Sequence, residues 1–255
     1  MMPDNTTAFL QKYFSKIFVV SVPRLSERHK EVSAYLQPLP FDFFLGVDKQ
    51  NINIEAVKEQ GVYDEVTAKK LQRQPKLFNL GEVACSLSHR MLYETIVKNQ
   101  WEKILILEDD VLPLQNVLDN LPYAINELPS DWDLVYLGYI KHEKVTAWLW
   151  IKQCFYKILS AVGLMKWNYK MVCNLLPKPY SKYLKKAGFH DCTHAYAITL
   201  KAAQKLLAAQ TPVIYRADDL LSSSVMKGDL NAFITVPKFF DQQIFHNTSI
   251  KSEIH

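Results

Sequence analysis

Three consecutive carboxylates, Glu108, Asp109 and Asp110, close a short apolar run in the segment Lys103-Ile-Leu-Ile-Leu-Glu-Asp-Asp-Val111. Adjacent carboxylates repel one another unless a positive charge sits among them, and a divalent cation bridging substrate phosphates is a common solution. If the backbone stays extended through the triplet, side chains alternate, so Glu108 and Asp110 point one way and Asp109 the other. Glu108 and Asp110 are then the natural oxygen pair for Mg²⁺ or Mn²⁺. The competing reading is a solvated acidic turn.

The elements that must hold this triplet can be read from hydrophobic patterning. Residues 104–107 suit a strand buried on both faces of an α/β sheet, where the carboxyl ends of strands form the usual ligand-binding edge. Further strands are expected at 17–22, 41–47, 132–137, 194–200, 213–215 and 232–236. Helices are expected at 26–37, capped by Ser26, at 53–74, ending at Pro75, and at 201–209 and 218–227. The clearest helix is 81–99, whose apolar residues Val83, Leu87, Met91, Leu92, Ile96 and Val97 fall near helical spacing and which leads through Trp101 into the acidic strand. Such alternation predicts an α/β fold with a mostly parallel sheet flanked by helices.

A chain of 255 residues with 49% hydrophobic composition can bury a full core, and one domain spanning 1–255 is expected. Residues 1–14 lack a basic region followed by an apolar one, and no stretch is both long and uncharged enough to span a bilayer, so a cytosolic location is expected. Cys85, Cys154, Cys173 and Cys192 are scattered without a CxxC pair and read as reduced thiols. The absence of GxGxxG and GxxxxGK[ST] motifs argues against a nicotinamide dehydrogenase or a P-loop NTPase. Net charge is only +4, but residues 141–186 hold ten lysines against one acid, Glu143, a local +9. Aromatics, among them Trp148, Trp150, Phe155 and Trp167, are interleaved with those lysines. This basic aromatic insertion, at about 141–190, could lie in a headgroup interface, each lysine adding roughly 1 kcal/mol near an anionic leaflet. It could equally be a packed helical insertion with a solvated basic face. Nothing resembles a module that reads nucleic acid.

Several blocks together resemble glycosyltransferase family 25, the bacterial lipooligosaccharide galactosyltransferases and their collagen-modifying relatives. They are Phe18-Val-Val-Ser-Val-Pro-Arg-Leu-Ser-Glu-Arg28, Gly81-Glu-Val-Ala-Cys-Ser-Leu-Ser-His89, the acidic strand, and Asp133-Leu-Val-Tyr-Leu-Gly138. Later segments agree: Thr193-His-Ala-Tyr-Ala-Ile-Thr-Leu200, Ala217-Asp-Asp-Leu-Leu221, and Pro237 followed by Gln243 and Ser249-Ile250. The resemblance implies a GT-A-type nucleotide-sugar-binding fold, a UDP-sugar donor, usually UDP-galactose, and an inverting transfer that forms a β-glycosidic bond.

On that resemblance the metal, Mn²⁺ with Mg²⁺ as the alternative, falls to Asp110, with Glu108 or Asp109 near the ribose or a metal-bound water, and His246 as a further ligand. Glu in the first place departs from a strict Asp-x-Asp and leaves the second carboxylate ligand open. One base must take the acceptor proton. Asp218 and Asp219 open a helix after a strand, and Asp219 is preferred, the other capping the helix. Arg24 and Arg28 follow the first strand, where the nucleotide is held; Arg28 matches the family arginine but could instead pair with Glu27 or Glu31. Glu82, Ser86 and His89 share adjoining helix faces and could line the donor pocket, though His89 also suits a core role orienting the acidic strand. Asp48 is a uridine-contact candidate or an ordinary turn residue.

The expected activity is hexose transfer, galactose first, onto a lipooligosaccharide or lipopolysaccharide core. The acceptor would be lipid-linked, at an anionic membrane on the inner face of the bacterial inner membrane. The rivals are a metal-dependent phosphohydrolase and an inactive saccharide- or lipid-binding protein of the same fold.

Overall fold

The computed structural model describes residues 1–71 and 76–246. The expected Ser249-Ile250 block and the predicted helix end at Gln74 and Pro75 lie outside them. The strands are β1 (Lys16–Ser21), β2 (Asp42–Leu45), β3 (Lys103–Glu108), β4 (Val111–Pro113), β5 (Leu134–Ile140), β6 (Lys178–Pro179), β7 (Leu184–Lys186), β8 (Asp191–Thr199), β9 (Ala232–Thr235) and β10 (Phe240–Gln242). The helices are α1 (Asp4–Tyr13), α2 (Ser26–Leu36), α3 (Ile54–Glu59), α4 (Glu65–Leu71), α5 (Leu80–Asn99), α6 (Leu121–Asn126), α7 (Ala147–Ala161), α8 (Tyr169–Cys173), α9 (Leu200–Ala209) and α10 (Ala217–Lys227).

Among the described residues the main sheet has the order β2-β1-β3-β8-β5-β9-β7-β6. Parallel pairing of β1 with β2 and β3, and of β5 with β9, combines with antiparallel contacts through β8 and β7. All strands but β8 and β7 therefore run the same way, as expected of a mostly parallel sheet. Its centre is covered on both faces. Leu105, Leu107, Val135, Leu137, Ala195 and Ala197 belong to one apolar cluster, and Ile104, Ile106, Leu134, Tyr136, Tyr196 and Ile198 to the other. This is the alternation that a period of two imposes on strands sandwiched between layers.

Local departures have local causes. The helix expected over 53–74 is two helices, because Gly61 adopts φ +67° between α3 and α4, a conformation that ends a right-handed helix. The expected strand 213–215 is only a single parallel bridge, Tyr63 with Val213. Ser26 is the first residue of α2 and not its cap; Leu25 occupies that position without a side-chain bond. Helix α1, with no strong signal in the sequence, adds Leu10 to the core beneath β1.

Between β5 and β8 the segment 141–190 carries α7, α8, β6 and β7. Part of it extends the sheet through β7 against β9, and part packs α7 on α8. Among the described residues no helix is long and apolar enough to cross a membrane.

Candidate functional site

The acidic triplet sits where β3 ends and the chain turns into β4. Strand β4 pairs antiparallel with β10, and the Gln243 amide donates to the Asp110 carbonyl at 2.9 Å. That pairing brings Gln242 Nε2 to 3.5 and 3.3 Å from the two carboxylate oxygens of Asp110. Burial, then the neighbouring Glu108 and Asp109 charges, push the Asp110 carboxyl up to about 7. Asp109 points elsewhere: it is buried, accepts from the Ser21 hydroxyl at the end of β1, and takes Arg28 Nη1 at 3.0 Å. His29 Nε2 lies 2.8 Å from the same hydroxyl. Glu108 accepts from the Thr193 hydroxyl and has His89 Nε2 3.8 Å away. Burial raises its pKa, yet His89 and Thr193 outweigh that and hold Glu108 below the usual carboxylate range.

Helix α5 supplies the opposite wall, and its N-terminus is tightly specified. Asn79 and Glu82 form a capping box, with Asn79 Oδ1 accepting the Glu82 amide at 2.9 Å and Glu82 Oε2 accepting the Asn79 amide at 2.8 Å. The other oxygen of Glu82 meets Arg216 Nε at 2.8 Å, tying α5 to the start of α10. Further along α5, Ser88 Oγ accepts the Val47 amide at 2.8 Å, and the loop after β2 approaches so closely that a Cβ at Gly46 would lie 2.3 Å from that oxygen. One turn apart on this face are Gly81, Cys85 and His89. His89 is buried, with Nδ1 2.8 Å from the Tyr196 hydroxyl.

Two cavities adjoin along this wall. The first, about 750 Å³, lies between the exit of β1, α5 and the acidic turn, and is lined by Ser21, Arg24, Arg28, Asp48, His89 and the triplet, with others. Asp48 also caps a turn through the Gln50 amide and pairs with Arg24 Nε at 2.8 Å. Against the upward push of burial, these two contacts hold its carboxyl below the ordinary range. The second cavity, about 1040 Å³, is lined by Glu82, Cys192, Thr193, Arg216 and Asp218, with Ile140 and Phe245 among its apolar residues. Cys85, Glu108, Asp110 and Gln242 line both. Asp109 lines only the first, so the sideways separation of Asp109 from Glu108 and Asp110 expected from strand alternation persists although the strand has ended.

The remaining sequence candidates are placed as follows. Asp218 faces the second cavity, accepts the Asp219 amide at 2.8 Å, and has its carboxyl raised by burial and by Asp191. Asp219 instead lines a small separate pocket with Trp167 and Phe189. Neither is the N-cap of α10, a position held by Arg216. Ser86 turns back to the Glu82 carbonyl at 2.8 Å and lines neither cavity. His246 is exposed, with Nε2 3.3 Å from Asp241 Oδ2, and also lines neither. Residues that sequence reasoning missed include Ser21, Cys85, Ser88, Thr193, Arg216 and Gln242. Helical spacing from Gly81 and His89 could have found Cys85, whereas Gln242 comes from a strand 132 residues away and carries no local signal.

A hard divalent cation fits this wall. Burial and the Glu108 and Asp109 charges push the Asp110 carboxyl up to about 7, Glu108 is held below the usual carboxylate range beside it, and the buried His89 Nε2 has no hydrogen-bond partner among the described residues. Among the described residues, Cys85, His89 and Glu108 each bring one ligand atom within 4.8 Å of the others. Burial pushes the Cys85 thiol well above its usual value, which makes it a poor ligand and leaves the Glu108 carboxylate and the His89 imidazole of that group.

Comparison with known proteins defines the class. The family model described as glycosyltransferase family 25 (LPS biosynthesis protein) matches residues 14–221, and the chain belongs to this family. Similar curated proteins include "Inactive glycosyltransferase 25 family member 3" of Homo sapiens, 28% identical over 77% of this chain and 29% of that protein. "Procollagen galactosyltransferase 2" of Mus musculus is 25% identical over 82% and 31%. "Procollagen galactosyltransferase 1" of Danio rerio is 23% identical over 93% and 37%. The chain thus spans about a third of the length of these relatives. Among solved structures, mouse xyloside xylosyltransferase 1 in its apo form overlaps 84% of this chain and 62% of its own at 12% identity, with a TM-score of 0.35.

Proposed function

We propose that this protein is an inverting glycosyltransferase with a GT-A-type fold that moves galactose from UDP-galactose onto a lipid-linked lipooligosaccharide core saccharide, forming a β linkage. The observation that carries the reading is the pair of cavities sharing one wall of Glu108, Asp110, Cys85 and Gln242. In this reading the first cavity takes the donor. Arg24 and Arg28 face it and are held by Asp48 and Asp109, so their guanidinium groups are already oriented when a diphosphate arrives. Asp110 and Glu108 would hold the cation, with His89 as the nitrogen donor. When bound, the ion supplies positive charge to the diphosphate as it leaves.

The second cavity takes the acceptor. Asp218 receives the proton of the attacking hydroxyl, and its upward shift makes it a stronger base than a solvated aspartate. Gln242 positions Asp110, and Thr193 positions Glu108.

The test is nucleotide release from a panel of UDP- and GDP-sugars with Mn²⁺, with and without lipooligosaccharide-type acceptors, beside Asp110→Ala. Acceptor-dependent UDP release from one donor, lost in the variant, is expected. Acceptor-independent hydrolysis would replace this reading with a phosphohydrolase. UDP binding without product would favour a binding protein, a reading in keeping with the word "inactive" in one relative's name.

A further inference from the structure

We infer that the outer face of α7 docks this protein on an anionic lipid surface. The inner face of α7 is already occupied. Leu149 and Tyr156 pack on a cluster that includes Met171, Leu175 and Phe189, and the buried Gln153 donates to the Val172 carbonyl at 2.8 Å. A surface helix packed in this way ordinarily turns polar residues outward. Here Trp148, Ile151, Phe155 and Ile158 recur at alternating steps of three and four, and the stripe continues past the helix end to Val162. Their exposures are 69, 52, 56, 63 and 63%. A contiguous apolar stripe of this kind is an interaction surface and not the scattered exposure normal for a soluble chain.

The charge around the stripe selects its partner. From Lys144 through His190 there are nine lysines and neither aspartate nor glutamate. Lys152 and Lys157 lie on α7 itself. A second copy of the chain would set lysine against lysine, whereas phosphate headgroups complement them. At 15 residues α7 is about 22 Å long, too short to cross a bilayer but suited to lying in the interface, where tryptophan and lysine are both favoured. The segment begins after Ile140, the last residue of β5, and ends before Asp191, the first of β8. Ile140, Cys192 and Thr193 line the second cavity. Docking through α7 would therefore bring a lipid-linked acceptor to that cavity; this last step rests on the proposed function, while docking itself does not.

The experiment is co-sedimentation of the full chain with vesicles of phosphatidylcholine alone or with 30% phosphatidylglycerol, beside the variant Trp148→Ser/Ile151→Ser/Phe155→Ser. Binding to the anionic vesicles at least tenfold tighter than to the neutral ones is expected, with a tenfold or greater loss in the variant. Because all three side chains are exposed, circular dichroism of the variant should match wild type. Should it not, Lys152→Glu/Lys157→Glu provides an independent arm with the same expected loss. Equal or negligible binding to both vesicles, or binding that neither variant weakens, would overturn the inference. So would self-association of the wild type in sedimentation equilibrium that the serine variant abolishes, without vesicle binding. Vesicle binding without sugar transfer would remove the transferase and leave the docking; transfer to a soluble acceptor without vesicle binding would do the reverse.

Discussion

At the residue scale, the three carboxylates of the triplet differ in what surrounds them. Asp109 pairs with Arg28 and Glu108 accepts from Thr193, while Asp110 is buried beside both of their charges and meets the amide of Gln242. The folded-state pKa of Asp110 is therefore raised above that of an unfolded aspartate, and the folded protein retains a proton that the unfolded chain releases. Stability from this group is full below about pH 4 and declines as pH rises towards about 7. In metal-free buffer Asp110→Asn, which carries no charge at any pH, should raise stability at pH 8 by on the order of 1–3 kcal/mol and change it little at pH 4. Differential scanning calorimetry at the two values checks this, and the same variant should lose at least 100-fold in UDP release. Asp218→Asn should lower kcat by 10²–10⁴ with little change in KM. Because burial and Asp191 raise Asp218, the acidic limb of the wild-type pH–rate profile should fall at a higher pH than an ordinary aspartate would give. A profile flat down to pH 4 would remove Asp218 as the base.

At the scale of elements, α5 is the part whose placement matters most, because it faces the triplet across the first cavity. Removing one half of its capping box with Asn79→Ala should cost about 1 kcal/mol, read as a drop in Tm of a few degrees. Strand β5 meets β8 with no spare volume: a Cβ at Gly138 would lie 2.3 Å from His194 Nε2 and 2.8 Å from the Phe240 carbonyl oxygen. Gly138→Ala should therefore destabilise by about 2 kcal/mol or more in urea unfolding, since backbone and a buried ring must both move. It should also weaken turnover, because Phe240 belongs to the strand that carries Gln242 to Asp110.

At the scale of the whole molecule, the sheet is covered on both faces, so opposite-facing residues of β3 are equally buried. Leu107→Ala and Ile106→Ala should each cost about 2–5 kcal/mol in chemical denaturation, although their side chains point to opposite layers. A sheet with one solvated face would make one of them mild. The exposed stripe on α7 is the reverse case, and its serine variant should change Tm little, because each of these side chains is more than half exposed.

By itself the sequence determined the elements whose signals are local. The run from Ile104 to Leu107 had to be a buried strand, the periodicity of 81–99 had to be a helix, and the triplet had to stand at the strand's end, since each follows from the spacing of side chains along one segment. The same locality explains why the basic character of 141–186 was legible while the fate of its aromatics was not. Whether Trp148 and Phe155 pack or face outward depends on which side of α7 meets α8, and that is decided by a segment 20 residues away. Pairings across the chain were likewise left to the tertiary structure. Arg28 could have met Glu27 or Glu31, but the parallel register of β1 on β3 sets Ser21 and Asp109 beside it. Asp218 rather than Asp219 faces the second cavity because α10 is anchored through Arg216 to Glu82, which fixes the rotation of its first turn. Charge and periodicity are properties of a segment, whereas a partner is a property of the space that segments share.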